Sequence, residues 1–202
     1  PNTANISKKI NNNKFILKKK FKYNFVYAGN IGMAQEFENF EIFLKRLYEQ
    51  KKDVKFHLIG SGSYKKILTE RIKENKIKNV EIYPYINNKN LYYYLKQADV
   101  CFLSLKNNYI FNLTIPSKLQ NYLYCGKPVL AWANGITKKI IEDGKCGVAI
   151  EPKNVNGLIS AVIKMSNKKY IRKLGKKSKY LYNKYYHLNL IKEKITKLLI
   201  NL

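Results

Sequence analysis

The pattern of the 202-residue chain predicts an α/β fold, a Rossmann-like doubly wound parallel sheet of about six strands with helices on both faces. Three observations carry this expectation. Short runs rich in β-branched and aromatic residues alternate about six times with longer stretches of helical period. The runs are apolar almost end to end, as strands covered on both faces require. Most of them stop at Gly, Pro or Asn, residues that break strands.

The first run, Phe25-Val26-Tyr27-Ala28, leads into Gly29-Asn30-Ile31-Gly32, with a helix expected within a few residues; Phe37, Phe40, Leu44, Leu47 and Tyr48 supply its apolar stripe. The second, residues 54–59, leads into Gly60-Ser61-Gly62-Ser63 and a helix from Tyr64 carrying Ile67, Leu68 and Ile72. Residues 80–83, 100–105, 128–132 and 147–150 are the remaining strands. Between the fourth and fifth, Pro116 suits a helix's first turn, Gly126 its C-terminal cap, and Pro128 stops continuation. From residue 152 onward the chain reads as helical, and Leu190, Ile191, Ile195, Leu198, Leu199 and Leu202 share a stripe. Right-handed crossovers gather the carboxyl ends of all strands on one edge, where ligands bind. The loops after residues 28, 59, 83, 105, 132 and 150 are therefore the candidate site.

Composition narrows the chemistry. Lys and Arg total 39 against 13 Asp and Glu, a formal charge of +26, which favours partners bearing phosphate or anionic lipid. Asp53, Asp99 and Asp143 are the aspartates and form no Asp-x-Asp pair; His57 and His187 are too few for a His-rich centre, so no metal and no cofactor are expected. His57 sits inside an apolar strand and reads as a core residue. Cys101, Cys125 and Cys146 are widely spaced among apolar neighbours, the usage of a reduced, cytoplasmic chain. No apolar run reaches the roughly 18 residues that a spanning helix needs. The lysines are spread along the chain with many asparagines, so compositional bias accounts for them and no nucleic acid is expected. A basic polyanion-binding module without catalysis is the alternative of another class.

Two glycine-bearing loops on one sheet edge, at 29–32 and 60–63, let backbone approach a ligand, and helix starts offer N–H donors to an anion. Neither is a phosphate-binding loop of the Gly-Lys-Ser/Thr type, and the Gly-x-Gly-x-x-Gly spacing is missing. Ser117 and Lys118 fall in the first turn of the helix after Pro116, where a lysine opposes the helix dipole unless an anion sits beside it. That breach of a local rule is the mark of a phosphate site.

The order of Tyr27-Ala28-Gly29-Asn30-Ile31-Gly32, Leu58-Ile59-Gly60-Ser61-Gly62, residues 80–86, Ala98-Asp99-Val100 and Pro116-Ser117-Lys118 through Gly126-Lys127-Pro128-Val129 resembles the C-terminal, nucleotide-sugar-binding domain of family 4 glycosyltransferases of the GT-B fold. The nearest likeness is to bacterial enzymes similar to L-fucosamine transferases, and it covers about residues 22–165. The resemblance implies residues 1–21 as the remnant of an interdomain linker, 22–187 as the donor domain, and 188–202 as an amphipathic helix packing on this domain or on a missing N-terminal one. It implies that Gly29 and Asn30 line the diphosphate and sugar, with Gln35 near a position where many members carry Lys. Gly60, Ser61 and Gly62 would lie under the nucleoside, and Tyr85 and Ile86 would hold the base. Thr114, Ile115, Ser117 and Lys118 would supply donors to sugar and phosphate. Asn121 stands where the second glutamate of the family's Glu-x7-Glu pattern binds ribose, and Leu113 stands where the first glutamate belongs.

The implied activity is the donor-binding half of a retaining glycosyltransferase, inactive by itself, moving sugar from a UDP-sugar to a lipid-linked or polysaccharide acceptor in O-antigen or capsule synthesis. The implied partners are the nucleotide sugar, an N-terminal acceptor domain that supplies any catalytic base, and an anionic membrane touched peripherally at its inner face. A GT-B-type UDP-sugar 2-epimerase is the alternative within the fold, though it needs carboxylates and histidines scarce in this chain.

Overall fold

A computed structural model describes residues 21–187, together with Lys192 and Thr196. Six strands, β1 (Tyr23–Ala28), β2 (Val54–Ile59), β3 (Val80–Tyr83), β4 (Val100–Ser104), β5 (Val129–Trp132) and β6 (Gly147–Ile150), make one sheet in the order β3-β2-β1-β4-β5-β6, every pairing parallel. The helices are α1 (Phe40–Gln50), α2 (Lys65–Glu74), α3 (Asn88–Gln97), α4 (Tyr109–Leu113), α5 (Ser117–Tyr124), α6 (Gly135–Asp143), α7 (Val155–Met165) and α8 (Lys168–Tyr185).

Successive strand side chains point to opposite faces, so each strand feeds two apolar layers. Phe25, Phe56, Phe102 and Trp132 meet Phe40, Phe43 and Leu44 of α1 and Leu158 and Val162 of α7 on one face. Phe40 stacks on Phe102 with ring centroids 5.6 Å apart, and Phe43 meets Phe56 edge-on at 5.3 Å. On the other face Val26, Cys101, Leu103 and Ala131 meet Leu95 of α3, Leu119 and Leu123 of α5 and Ile141 of α6. Where strands are buried on both faces, a polar side chain must find partners inside. His57 does: Nε2 lies 2.9 Å from Asn24 Oδ1 and Nδ1 lies 3.1 Å from the Tyr83 hydroxyl. Asn24 spends its amide on Phe21 O and Asp99 Oδ2, so its Oδ1 accepts from the His57 ring. His57 is thus the core residue its strand suggested, and burial pushes its pKa down to about 4.

The structure corrects two boundaries. No helix starts near Gly32; α1 begins at Phe40 because residues 29–39 first cross the end of β4. Lys106 N–H donates to Ala34 O, and the buried Ser104 hydroxyl accepts from Glu36 N–H at 3.0 Å and donates to Glu36 O at 3.1 Å. Pro116 is the N-cap of α5, in extended conformation, one position ahead of the first turn. The other end of α5 is closed as expected: Gly126, at φ +63°, gives its N–H to Leu123 O while Lys127 N–H reaches Tyr122 O. Among the described residues no helix is long and apolar enough to cross a membrane. The expected linker (1–20 of it) and the expected terminal helix (188–202) lie outside the described stretch.

Candidate functional site at the strand carboxyl ends

The strand order reverses between β1 and β4, the point at which an open parallel sheet leaves a crevice beyond its carboxyl ends. These two strands pair only through Phe25 with Val100 and Val26 with Cys101. Further along they part, and the buried hydroxyl of Tyr122 fills the gap, accepting from Ala28 N–H at 3.1 Å and donating to Phe102 O at 3.0 Å. The crevice therefore opens without orphaning backbone groups.

Gly29 and Lys118 meet at the floor of this crevice. Gly29 sits at φ +141°, and a Cβ there would fall 2.7 Å from Lys118 Cε. Glycine makes room for the lysine stem to lie across the end of β1. Lys118 Nζ donates to the Tyr27 hydroxyl at 2.5 Å and lies 4.3 Å from the ring centre; the hydroxyl in turn donates to Asn30 O. Tyr27 is fully buried, and burial holds its phenol far above its usual ionisation range, so it remains a neutral partner. No acidic side chain among the described residues pairs with Lys118. Burial without a counter-charge disfavours the ammonium and pushes its pKa down to about 8. Pro116 provides no side-chain cap to the first turn of α5, which leaves the positive end of that helix beside Lys118. A cation and a helix N-terminus with no anion of their own are arranged to receive one from outside.

The 29–32 and 60–63 loops are packed directly on one another. Ile31 N–H donates to Ser61 O at 2.7 Å and Tyr64 N–H to Ile31 O at 3.0 Å. A Cβ on Gly60 would lie 1.9 Å from Gly29 O, and one on Gly62 would lie 2.3 Å from Ile31 O. These two glycines serve loop-to-loop contact, and the Asn30 amide lies in that seam, where a Cβ on Gly62 would fall 2.4 Å from its Oδ1; Asn30 and Ser61 both remain exposed. Gln35 is buried and its Oε1 accepts from Gly32 N–H at 2.9 Å, so its side chain is turned into the loop. Tyr85 is exposed and Ile86 half-buried in the connection after β3. Lys65 Nζ ties that strand end to the glycine loop by donating to Gly60 O and Tyr83 O. On the opposite side of the crevice, Thr114 and Ile115 between α4 and α5 and Ser117 at the start of α5 are exposed, and Thr114 Oγ1 donates to Ile110 O. Asn121 lies one turn into α5, where Oδ1 accepts from Tyr92 of α3 at 3.3 Å. Leu113 ends α4 with its side chain 65% exposed, offering no polar group.

Sequence reasoning singled out Lys118 but neither Tyr27, which holds it, nor the side chains that fix the loops and strand ends around it. Tyr27, Tyr122, Lys65 and Ser104 all sit in or beside apolar runs and read as core or as ordinary surface. One signal was available for Tyr27: the surrounding layer is built from phenylalanines, so a tyrosine there indicates a hydroxyl with a partner. Among the described residues, no three His, Cys, Asp or Glu side chains converge as a metal-ligand set.

Comparison with known proteins places this geometry. Residues 8–185 match the family described as glycosyl transferases group 1. No curated protein matches the chain. Among solved structures, a variant of S. aureus TarM in complex with Fondaparinux, alpha-GlcNAc-glycerol and UDP superposes with a TM-score of 0.74 at 20% identity, covering 90% of this chain and 36% of that one. The C-terminal domain of a glycosyl transferase group 1 family protein, LpcC from Francisella tularensis, gives 0.67 at 19% identity, covering 83% of this chain and 88% of that domain. Anabaena Alr3699/HepE in complex with UDP-glucose gives 0.70 at 15% identity, covering 89% of this chain and 49% of that one. The chain thus spans about a third of TarM and half of HepE, and nearly all of an isolated C-terminal domain. It shares with them the six-stranded, Rossmann-like half of a GT-B architecture, and the match over residues 8–185 makes it a member of the glycosyl transferases group 1 family.

Proposed function

We propose that this domain binds the diphosphate of a UDP-sugar at the ends of β1 and β4 and acts as the donor half of a retaining glycosyltransferase. The observation that carries the reading is Lys118, a half-buried cation held by the neutral Tyr27 over Gly29 and facing no carboxylate. When the sugar bond breaks, charge grows on the diphosphate, and a prepositioned ammonium beside a helix N-terminus stabilises it without a metal. Asn30 and Ser61 take the outer phosphate and nucleoside side, Tyr85 and Ile86 the base, and the free amide end of Asn121 a ribose hydroxyl. Gln35 serves indirectly by shaping the 29–36 loop. Thr114, Ile115 and Ser117 border the sugar, where Leu113 supplies apolar contact instead of the family's usual glutamate. The UDP in the TarM complex and the UDP-glucose in the HepE complex support the choice of donor. An N-terminal domain would bring the acceptor, for which we favour a lipid-linked or polysaccharide glycan of the cell surface.

The test is ligand-observed NMR on this chain at moderate salt with UDP, GDP, UMP and inorganic pyrophosphate. Preference for UDP that disappears in Lys118→Ala supports the reading. An equal response to every phosphate, unchanged by that substitution, would overturn it in favour of diffuse charge attraction.

A further inference from the structure

The loop that begins with Gly29 also carries a carboxylate for which the proposed binding of UDP has no use. Glu36 is 1% exposed, and its Oε1 is buried without a hydrogen-bond partner. A buried acceptor in that state costs free energy and requires a physical reason. Glu41, Asp53 and Glu81 also have such an oxygen, yet each of them pairs with a cation, Arg71 at 3.0 Å, Lys51 at 3.1 Å and Lys55 at 2.9 Å in turn. Among the described residues Glu36 makes no ion pair. Burial first, and Glu38 second, push its carboxyl above the ordinary range, with Lys153, Lys106 and Asn39 acting the other way. The residue is nevertheless fixed in place, because the Ser104 hydroxyl holds both its N–H and its C=O.

Glu36 lines a cavity of about 230 Å³ together with Glu38, Lys106, Asn107, Pro152 and Lys153. Lys106 and Asn107 follow β4 and Pro152 and Lys153 follow β6, so the cavity opens on the same strand ends as the donor crevice. At about 30 Å³ per water it has the space of roughly seven waters, the scale of one sugar ring and not of a polymer. Two carboxylates accept and two ammonium groups donate, which suits a neutral ligand bearing hydroxyls. Lys106 and Glu38 pair with each other at 2.5 Å, which leaves Glu36 and Lys153 to meet such a ligand.

This cavity adjoins the place where the proposed sugar site lacks a carboxylate. Its wall residue Asn107 accepts through Oδ1 from the Asn112 amide at 2.9 Å, and Asn112 is the neighbour of Leu113 in α4. Leu113 stands at the position of the family's first glutamate, and none of the residues assigned above to the nucleotide sugar is acidic. A carboxylate missing at Leu113 and a carboxylate without donors at Glu36 are explained together by a sugar whose hydroxyls reach Glu36.

We infer that Glu36 is a sugar-binding residue, its carboxylate accepting hydrogen bonds from the hydroxyls of the transferred sugar, in a subsite for a neutral hexose between the 29–36 loop and the segment after β4. The inference rests on the donor reading and adds to it the part of the donor that UDP lacks.

The test is ligand-observed NMR titration of the 202-residue chain with UDP, UDP-glucose, UDP-galactose and UDP-N-acetylglucosamine. Wild type is compared with Glu36→Met, Glu36→Gln and Glu41→Gln. Met replaces an unpaired buried charge by an apolar group of similar size, so the fold is kept, and circular dichroism checks it. Glu41→Gln removes the same charge from a residue outside the cavity, paired with Arg71. In wild type at least one UDP-sugar binds more tightly than UDP. Glu36→Met abolishes that advantage, a loss of about tenfold, and Glu36→Gln reduces it, while both leave UDP affinity within about twofold. Glu41→Gln changes neither. With UDP binding intact, the inference is overturned if no UDP-sugar exceeds UDP, if the Glu36 variants keep the advantage, or if they weaken UDP and UDP-sugars alike, as a disturbed loop would. Failure of wild type to bind UDP overturns the donor reading itself, and the inference falls with it.

Discussion

The depressed pKa of Lys118 gives the donor site a pH signature that can be worked out in advance. The free ammonium loses its proton near pH 8 because burial disfavours it, and a bound diphosphate restores the counter-charge and raises that value. Below about pH 7, Lys118 is protonated with or without ligand, so affinity is flat. Above 8 the free protein must take up a proton in order to bind, and affinity falls toward tenfold per pH unit, or about 1.4 kcal/mol. UDP then binds about twofold more weakly at pH 8, and about tenfold more weakly at pH 9, than at pH 7. Calorimetry in two buffers of different ionisation enthalpy reads the uptake directly, about half a proton per UDP at pH 8. Lys118→Arg is the control, since guanidinium keeps its charge throughout and the ligand's own ionisation contributes equally to both titrations. Profiles for wild type and Lys118→Arg that superimpose between pH 7 and 9 would refute the argument, whatever the absolute affinities.

Three further outcomes follow from the same geometry. Lys118→Met removes a half-buried, unpaired charge, so it stabilises the fold by about 1 kcal/mol in urea at pH 7 while weakening UDP binding by roughly 1 to 3 kcal/mol; loss of both stability and binding would contradict the assignment. Gly60→Ala drives a Cβ to within 1.9 Å of Gly29 O, and backbone must move to accept it. The expected cost is roughly 2 to 4 kcal/mol by chemical denaturation. His57 is held neutral, with a folded pKa of about 4 below the ordinary 6.5, so the unfolded chain binds a proton first as pH falls. Its contribution to stability is full above about pH 6.5 and is lost progressively toward pH 4, amounting to roughly 2 to 3 kcal/mol. That slope in the pH dependence of unfolding should be missing in His57→Gln.

The strands were legible because burial on both faces leaves an unbroken apolar run, a signal that survives without knowing the partner strand. The start of α1 was not legible, for a physical reason centred on Phe37. Spaced three residues before Phe40, it imitates helical period, yet it enters the core from the loop, edge-on to both Tyr27 at 5.2 Å and Phe40 at 5.3 Å. Periodicity reports which side chains are buried together, and a loop pinned by Ser104 buries one just as a helix would. The glycines of the second loop were legible as tight positions, but what fills the space beside them depends on a loop some thirty residues earlier in the chain. Lys118 was legible because it breaks a rule of its own helix, which needs no tertiary knowledge.

The net charge of +26 is the feature on which sequence and structure differ most in meaning. Along the chain the lysines look evenly spread, since a one-dimensional reading averages over faces. Folding sorts them into two physical classes. Lys118 is half-buried at the strand ends, its charge made costly by desolvation and unmatched by any carboxylate, so an anion that reaches it is bound by short contacts that salt screens weakly. The α8 lysines are solvated and act together, so whatever they attract responds to ionic strength within a Debye length of about 10 Å at 0.1 M. Raising salt from 50 to 300 mM should therefore change UDP affinity by no more than a few-fold. A steep loss would mean that the Lys118 site is no more than part of the general positive field.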